Sequence, residues 1–94
     1  MTLAISIAIP AALRPYTDGN ARVSVEAATA GEALTALTTQ HPGLANHLRD
    51  KEGKLRSFVN VYLNEDDIRH LQKDATPLNA GDTLTIVPSI AGGR

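Results

Sequence analysis

DTLTIVPSIAGGR, residues 82–94, carries the decisive pattern. Its first half alternates. Leu84 and Ile86 share one face of an extended run, and Thr83, Thr85 and Val87 share the other. Its second half is nearly bare of side chains, with Gly92 and Gly93 standing ahead of Arg94. A strand with one apolar face needs other strands beside it and a layer over it. The remaining sequence supplies both.

FVNVYLN (58–64) is the strongest strand signal, because Phe, Val and Tyr suit a pleated surface. Val59, Val61 and Leu63 fall on one face, and Phe58, Asn60 and Tyr62 on the other. Near the start, residues 3–9 alternate with Leu3, Ile5, Ile7 and Ile9 inward, and Pro10 ends the run. AALRPYTDGNA follows, with Pro15 and the Asp18-Gly19-Asn20 turn cluster. RVSVEA then alternates again through Val23 and Val25, so the two runs predict a hairpin with a long loop. Thr29-Ala30-Gly31-Glu32 matches a capping box, and behind it Ala30, Ala33, Leu34 and Leu37 form one helical stripe. His41-Pro42-Gly43 stops that helix. Residues 44–50 have room for a further short helical turn, and 51–54 read as a polar loop. Glu65-Asp66-Asp67 reads as a solvated turn, Ile68 to Leu71 as a short edge strand, and residues 75–82 as a loop with turn signals. The expected class is α+β: a mixed four- to five-stranded sheet, one main helix packed on one face, the other face open.

The chain's 94 residues are enough for one domain with one core, and 43% apolar with 20% charged residues argues for a folded chain. A net charge of −1 and the lack of a basic block argue against nucleic-acid binding. Apolar runs are too short to span a bilayer, and residues 1–10 lack the charged start and continuous apolar stretch of a signal peptide. A cytoplasmic location is expected. There is no cysteine, so disulfides and thiolate zinc sites are excluded, and any sulfur chemistry must do without a side-chain thiol.

Few residues look equipped for chemistry. His41, His47 and His70 are scattered, and His41 and His47 flank a Pro-Gly break instead of sharing a helical face, so a metal site is not expected. The acidic run lacks the glycine and closing glutamate of a calcium loop. No serine sits in a glycine-flanked elbow, and no helix follows Gly92-Gly93 to make a phosphate loop. Two features remain. If Leu84 and Ile86 point inward, Tyr62, Thr85 and Val87 point outward, with Phe58 beside them. Such side chains on a solvent face suit a docking patch, and they equally suit ordinary cross-strand packing on a half-wet sheet. The second feature is the Gly-Gly tail, which read by itself is a floppy terminus.

Three segments together, LRPYTDGN, GKLRSFVNVYLNEDDIRHL and DTLTIVPSIAGG, give the chain a specific likeness. Over nearly its whole length it resembles the ubiquitin-like β-grasp sulfur carriers of the ThiS/MoaD class, and within them the CysO-type carriers of actinobacterial cysteine biosynthesis. The resemblance implies a β-grasp domain over residues 1–90 and a flexible tail over 91–94. It implies a co-substrate protein, not an enzyme. Gly93 would be the working residue, with Gly92 lending freedom beside it. A ubiquitin-activating-type adenylyltransferase and sulfurtransferase would use ATP and Mg2+ to adenylate the Gly93 carboxylate. Sulfide or a persulfide donor would then displace AMP and leave a thiocarboxylate. In a cysteine pathway a PLP-dependent cysteine synthase would present an activated serine to that sulfur, and a JAMM-type zinc metalloprotease would release cysteine. Phe58, Tyr62, Thr85, Val87 and Ile90 would be the docking residues.

Arg94 departs from the pattern, because mature carriers of this class end at Gly-Gly. The favoured reading is a precursor cleaved between Gly93 and Arg94 by the metalloprotease or a carboxypeptidase. Arg94 as a cloning remnant, and a chain never activated, are the competing readings. Other functions open to the same fold are the small subunit of molybdopterin synthase, sulfur supply to a secondary metabolite, a protein modifier joined to lysines, and a plain binding module.

Overall fold

The computed structural model describes residues 3–52, 55–56 and 59–88. Five strands form one mixed sheet: β1 (Leu3–Ala8), β2 (Arg22–Ala27), β3 (Val59–Leu63), β4 (Asp66–Asp67) and β5 (Thr83–Pro88). Their order is β2-β1-β5-β3-β4. β1 and β5 are parallel, and the other neighbours are antiparallel. Two parallel strands cannot be joined by a tight turn. The chain therefore places its helices and β3 between them, and β5 arrives last in the centre of the sheet.

The alternation seen in sequence is the alternation of burial. Ile5, Ile7, Val23, Val25, Val59, Val61, Leu84 and Ile86 are buried on one face, and Ile9 joins them beyond β1. Leu3, expected inward with them, is half-buried at the start of its strand. α1 (Ala30–Gln40) covers this face with Ala30, Ala33, Leu34 and Leu37, all fully buried. Its start is capped as its sequence demands. The Glu32 amide donates to Thr29 Oγ1 at 3.2 Å. The Glu32 carboxylate reaches one residue further back than the standard box and accepts from the Ala28 amide at 3.0 Å. A short helix, α2 (Ala45–Leu48), follows a 3-10 turn at Pro42–Leu44 and adds Leu44 and Leu48 to the core.

The long loop of the first hairpin is more ordered than turn chemistry alone suggests. Ala11–Thr17 forms 3-10 turns, and the buried Thr17 hydroxyl lies 3.2 Å from the Arg14 carbonyl and 2.9 Å from that of Asn20. Asp18 and Gly19 then take positive φ and turn the chain into β2.

One expected element lies elsewhere. The edge strand is Asp66–Asp67, not Ile68–Leu71. Asn64 adopts a φ of 58° and makes a two-residue turn with Glu65, which sets Asp66 opposite Leu63 and Asp67 opposite Tyr62. The Asp67 carboxylate then accepts the Arg69 amide at 2.8 Å and starts a 3-10 turn over Ile68–His70. Ile68 is buried by this turn, while Leu71 is left exposed.

Candidate functional site

The open sheet face is built by register. Ala8 and Tyr62 both lie opposite Thr85, Arg22 lies opposite Ala8, and Asp67 opposite Tyr62. Directly paired residues share a face. One residue from each strand therefore forms a single row: Arg22, Ala8, Thr85, Tyr62, Asp67. With strands about 4.8 Å apart, the row spans roughly 19 Å. It has a basic end, an acidic end, and a low centre at Ala8 and Thr85.

Parallel rows differ in character. Toward the start of β5 the row is Ser24, Ser6 and Thr83, wholly hydroxylic. Toward the end of β5 it holds Val87 opposite Asn60, and Val87 is 40% exposed. Apolar and aromatic surface thus gathers at the end of the face from which the chain leaves β5. Tyr62, Thr85 and Val87 stand together there as expected from parity. Tyr62 and Thr85 are half-buried by their neighbours, as cross-strand packing also requires. Phe58, Ile90, Gly92, Gly93 and Arg94 lie outside the described residues.

The remaining candidates stay apart. His41 closes α1, His70 is exposed, and the His47 ring packs on Tyr16 with centroids 4.4 Å apart. Among the described residues no three metal-ligating side chains converge. No helix among them is long and apolar enough to cross a membrane.

A core under one main helix, an open sheet face and a central last strand are the frame, and the chain matches a known family. The model of the ThiS family fits residues 7–93 of this chain. The chain belongs to the ThiS family. That match enters inside β1 and runs through Gly92 and Gly93. Over 91 residues the chain is 38% identical to the sulfur carrier protein CysO of Mycobacterium tuberculosis, covering 95% of this chain and 98% of that protein. The crystal structure of an Amycolatopsis orientalis BexX/CysO complex contains a chain that superposes with a TM-score of 0.86. The identity there is 37%, over 95% of this chain and 99% of that one. Small archaeal modifier protein 3 of Haloferax volcanii is 38% identical over 66 residues, 70% of this chain and 71% of its own. The fold of this ThiS-family protein is accordingly the β-grasp of CysO and the archaeal modifiers.

Two residues around the candidate face carry no mark in the sequence. Ala8 sits at the centre of the face, and alternation alone does not say which residue of β5 it meets. Arg69 donates from its guanidinium to Asn60 Oδ1 and to the Val59 carbonyl, each at 2.7 Å. Main-chain carbonyls are common to every residue, so such a role has no sequence signature.

Proposed function

We propose that this chain is a sulfur carrier whose Gly93 carboxylate, exposed by removal of Arg94, is converted to a thiocarboxylate. The observation that carries the reading is the family match, which runs to residue 93 and so includes Gly92-Gly93, alongside full-length similarity to CysO. The chemistry supports the same end group. A carboxylate is a poor electrophile. Attack of its oxygen on the α-phosphorus of ATP, with loss of pyrophosphate, makes a mixed anhydride. Hydrosulfide then attacks the acyl carbon, AMP leaves, and the terminus carries sulfur in place of one oxygen. Two residues without Cβ atoms let the main chain come close to a reacting centre in a narrow channel.

The carrier is a co-substrate, and its partner is a ubiquitin-activating-type adenylyltransferase that docks on Tyr62, Thr85 and Val87, with Phe58 and Ile90. ATP and Mg2+ belong to that enzyme. For the acceptor we infer an activated serine in a PLP-dependent cysteine synthase. The thiocarboxylate sulfur displaces the serine's leaving group, and the acyl group moves from sulfur to the amine. Hydrolysis by a JAMM-type metalloprotease then returns cysteine and the carboxylate. Similarity to the archaeal modifier favours a second reading, in which Gly93 is joined to lysines of other proteins.

Intact mass of the protein from its native cell tests these readings. A species lacking Arg94, with a second heavier by the exchange of oxygen for sulfur, is expected. A population that keeps Arg94 under every sulfur supply refutes the carrier reading, and conjugates of higher mass would support the modifier reading.

A further inference from the structure

β5 is held unevenly along its length. Thr83, Leu84 and Thr85 pair with Ser6, Ile7 and Ala8 of β1, and Leu84 and Thr85 also pair with Leu63 and Tyr62 of β3. From Ile86 to Pro88 the β1 register has ended, and pairing is with Val61, Asn60 and Val59 of β3. That end of β3 has no second strand beside it among the described residues, because β4 pairs with Tyr62 and Leu63. The root of the tail is therefore only as fixed as the first residues of β3.

Arg69 fixes them. Its Nη1 donates to Asn60 Oδ1 at 2.7 Å, and its Nη2 donates to the Val59 carbonyl at 2.7 Å and the Arg56 carbonyl at 3.3 Å. The Val59 amide also turns toward Arg56, donating to its carbonyl at 3.0 Å. Both main-chain groups of Val59 thus face away from β5. Opposite Val59 stands Pro88, which has no N–H to offer. By the alternation of antiparallel ladders, Asn60 is then the residue whose main chain bonds to Val87. Arg69 grips both sides of that junction, the Val59 carbonyl and the Asn60 side chain, and its own amide is tied to Asp67. A planar fork sets direction as well as distance, which a lysine ammonium does not.

We propose that Arg69 is a positioning residue for the C-terminal tail. Its fork sets the start of β3, and β3 sets Val87 and Pro88, from which the chain continues toward Gly92 and Gly93. This rests on the reading of the chain as a carrier activated at Gly93. The Arg22-to-Asp67 row, which carries Tyr62 and Thr85 of the docking set, is paired through β1 and β4 and does not rest on the Arg69 fork, whereas Val87 does. Loss of the fork therefore impairs presentation of the carboxylate and loosens Val87, while the Tyr62 and Thr85 part of the docking surface stays in place.

The test uses the chain ending at Gly93 with Arg69→Met and Arg69→Lys, and two measurements. Amide exchange at Val87 is expected to rise about tenfold in both variants while Leu84 is unchanged, because protection reports local opening. With the ubiquitin-activating-type enzyme of the same genome, ATP–pyrophosphate exchange at saturating carrier is expected to lose roughly tenfold in kcat, with KM raised as well because Val87 shifts, since misplacing a reacting group by about 1 Å costs up to ~10²-fold. A merely structural role would lower the folded fraction, which raises the apparent KM and leaves kcat at saturating carrier unchanged. Should Arg69→Met fail to fold, Arg69→Lys and Asn60→Ala carry both measurements. Unchanged Val87 protection, or unchanged kcat, overturns the proposal. If the wild-type chain supports no pyrophosphate exchange, the carrier reading falls and the proposal with it, whatever Val87 shows.

Discussion

Gly31→Ala sets two known effects against each other at one atom. Gly31 lies in the first turn of α1, where alanine is favoured over glycine by up to ~1 kcal/mol. The added Cβ would lie 2.9 Å from Asp74 Cβ and 3.1 Å from the Asp74 carbonyl oxygen. Neither atom can rotate away, because both belong to or adjoin the main chain of the Lys73–Ala75 turn. Nor can that turn withdraw freely. The Ala30 amide donates to the Thr76 carbonyl at 3.0 Å, and Leu78 donates to Ala28 at 3.0 Å. Overpacking of this kind costs about 1–3 kcal/mol, so the clash outweighs propensity and leaves a net loss of about 1 kcal/mol. For a domain of this size that lowers Tm by about 4–8 °C. Urea unfolding should show a lower midpoint with an unchanged m-value. Placing Gly31→Ala on an Asp74→Gly background isolates the cause, since the nearest atom is then gone and the cost of the lost Arg49–Asp74 ion pair cancels in the cycle. There the cost of the alanine should shrink, since only the 3.1 Å contact with the residue-74 carbonyl remains. A single Gly31→Ala variant as stable as wild type would refute the argument, showing that α1 and the Lys73–Ala75 turn part without cost.

Other variants separate cap, face and tail. Thr29→Ala removes the acceptor for the Glu32 amide and should cost about 1 kcal/mol by thermal unfolding. Tyr62→Ala and Val87→Asp should raise KM for the activating enzyme about fivefold or more with kcat held, as loss of an interface anchor does; equal affinities by titration would return both residues to ordinary surface. Gly93→Ala should cut sulfur transfer at least tenfold, because the acyl centre then carries a side chain where close approach is needed, with Tm unchanged; a normal transfer rate would exclude Gly93 as the working residue.

Much of this fold is legible in the sequence because two periods dominate it. Ile5, Ile7, Val23 and Val25 alternate, Ala30, Ala33, Leu34 and Leu37 recur at helical spacing, and all eight are buried as their periods require. The capping box is legible for the same local reason. β4 is not. Asp66 and Asp67 have poor strand propensity, and what makes them a strand is pairing with Leu63 and Tyr62 across a turn at Asn64. Apolar Ile68 draws attention to the wrong residues, since it is buried by a 3-10 turn. The candidate face divides the same way. That Tyr62, Thr85 and Val87 share a side follows from parity. That Ala8 and Tyr62 flank Thr85, with Arg22 and Asp67 at the ends of their row, depends on register between strands distant in sequence.

The central place of β5 bears on what a tail can withstand. A chain end leaving from an edge strand could be peeled away one ladder bond at a time by any partner that pulls on it. Here β5 lies between β1 and β3, so a pull along the tail loads both ladders in shear, and no bond along Thr83–Thr85 can break alone. The exception is the stretch from Ile86 to Pro88, where β1 has ended. It is the one part of β5 able to yield, and it is where Pro88 lacks a donor and where the Arg69 fork braces the opposing strand. Under the proposed carrier function, a tail that enters an enzyme, reacts and withdraws needs give at its root without loss of the fold. The register confines that give to three residues, beyond the Thr85–Tyr62 row at the middle of the candidate face.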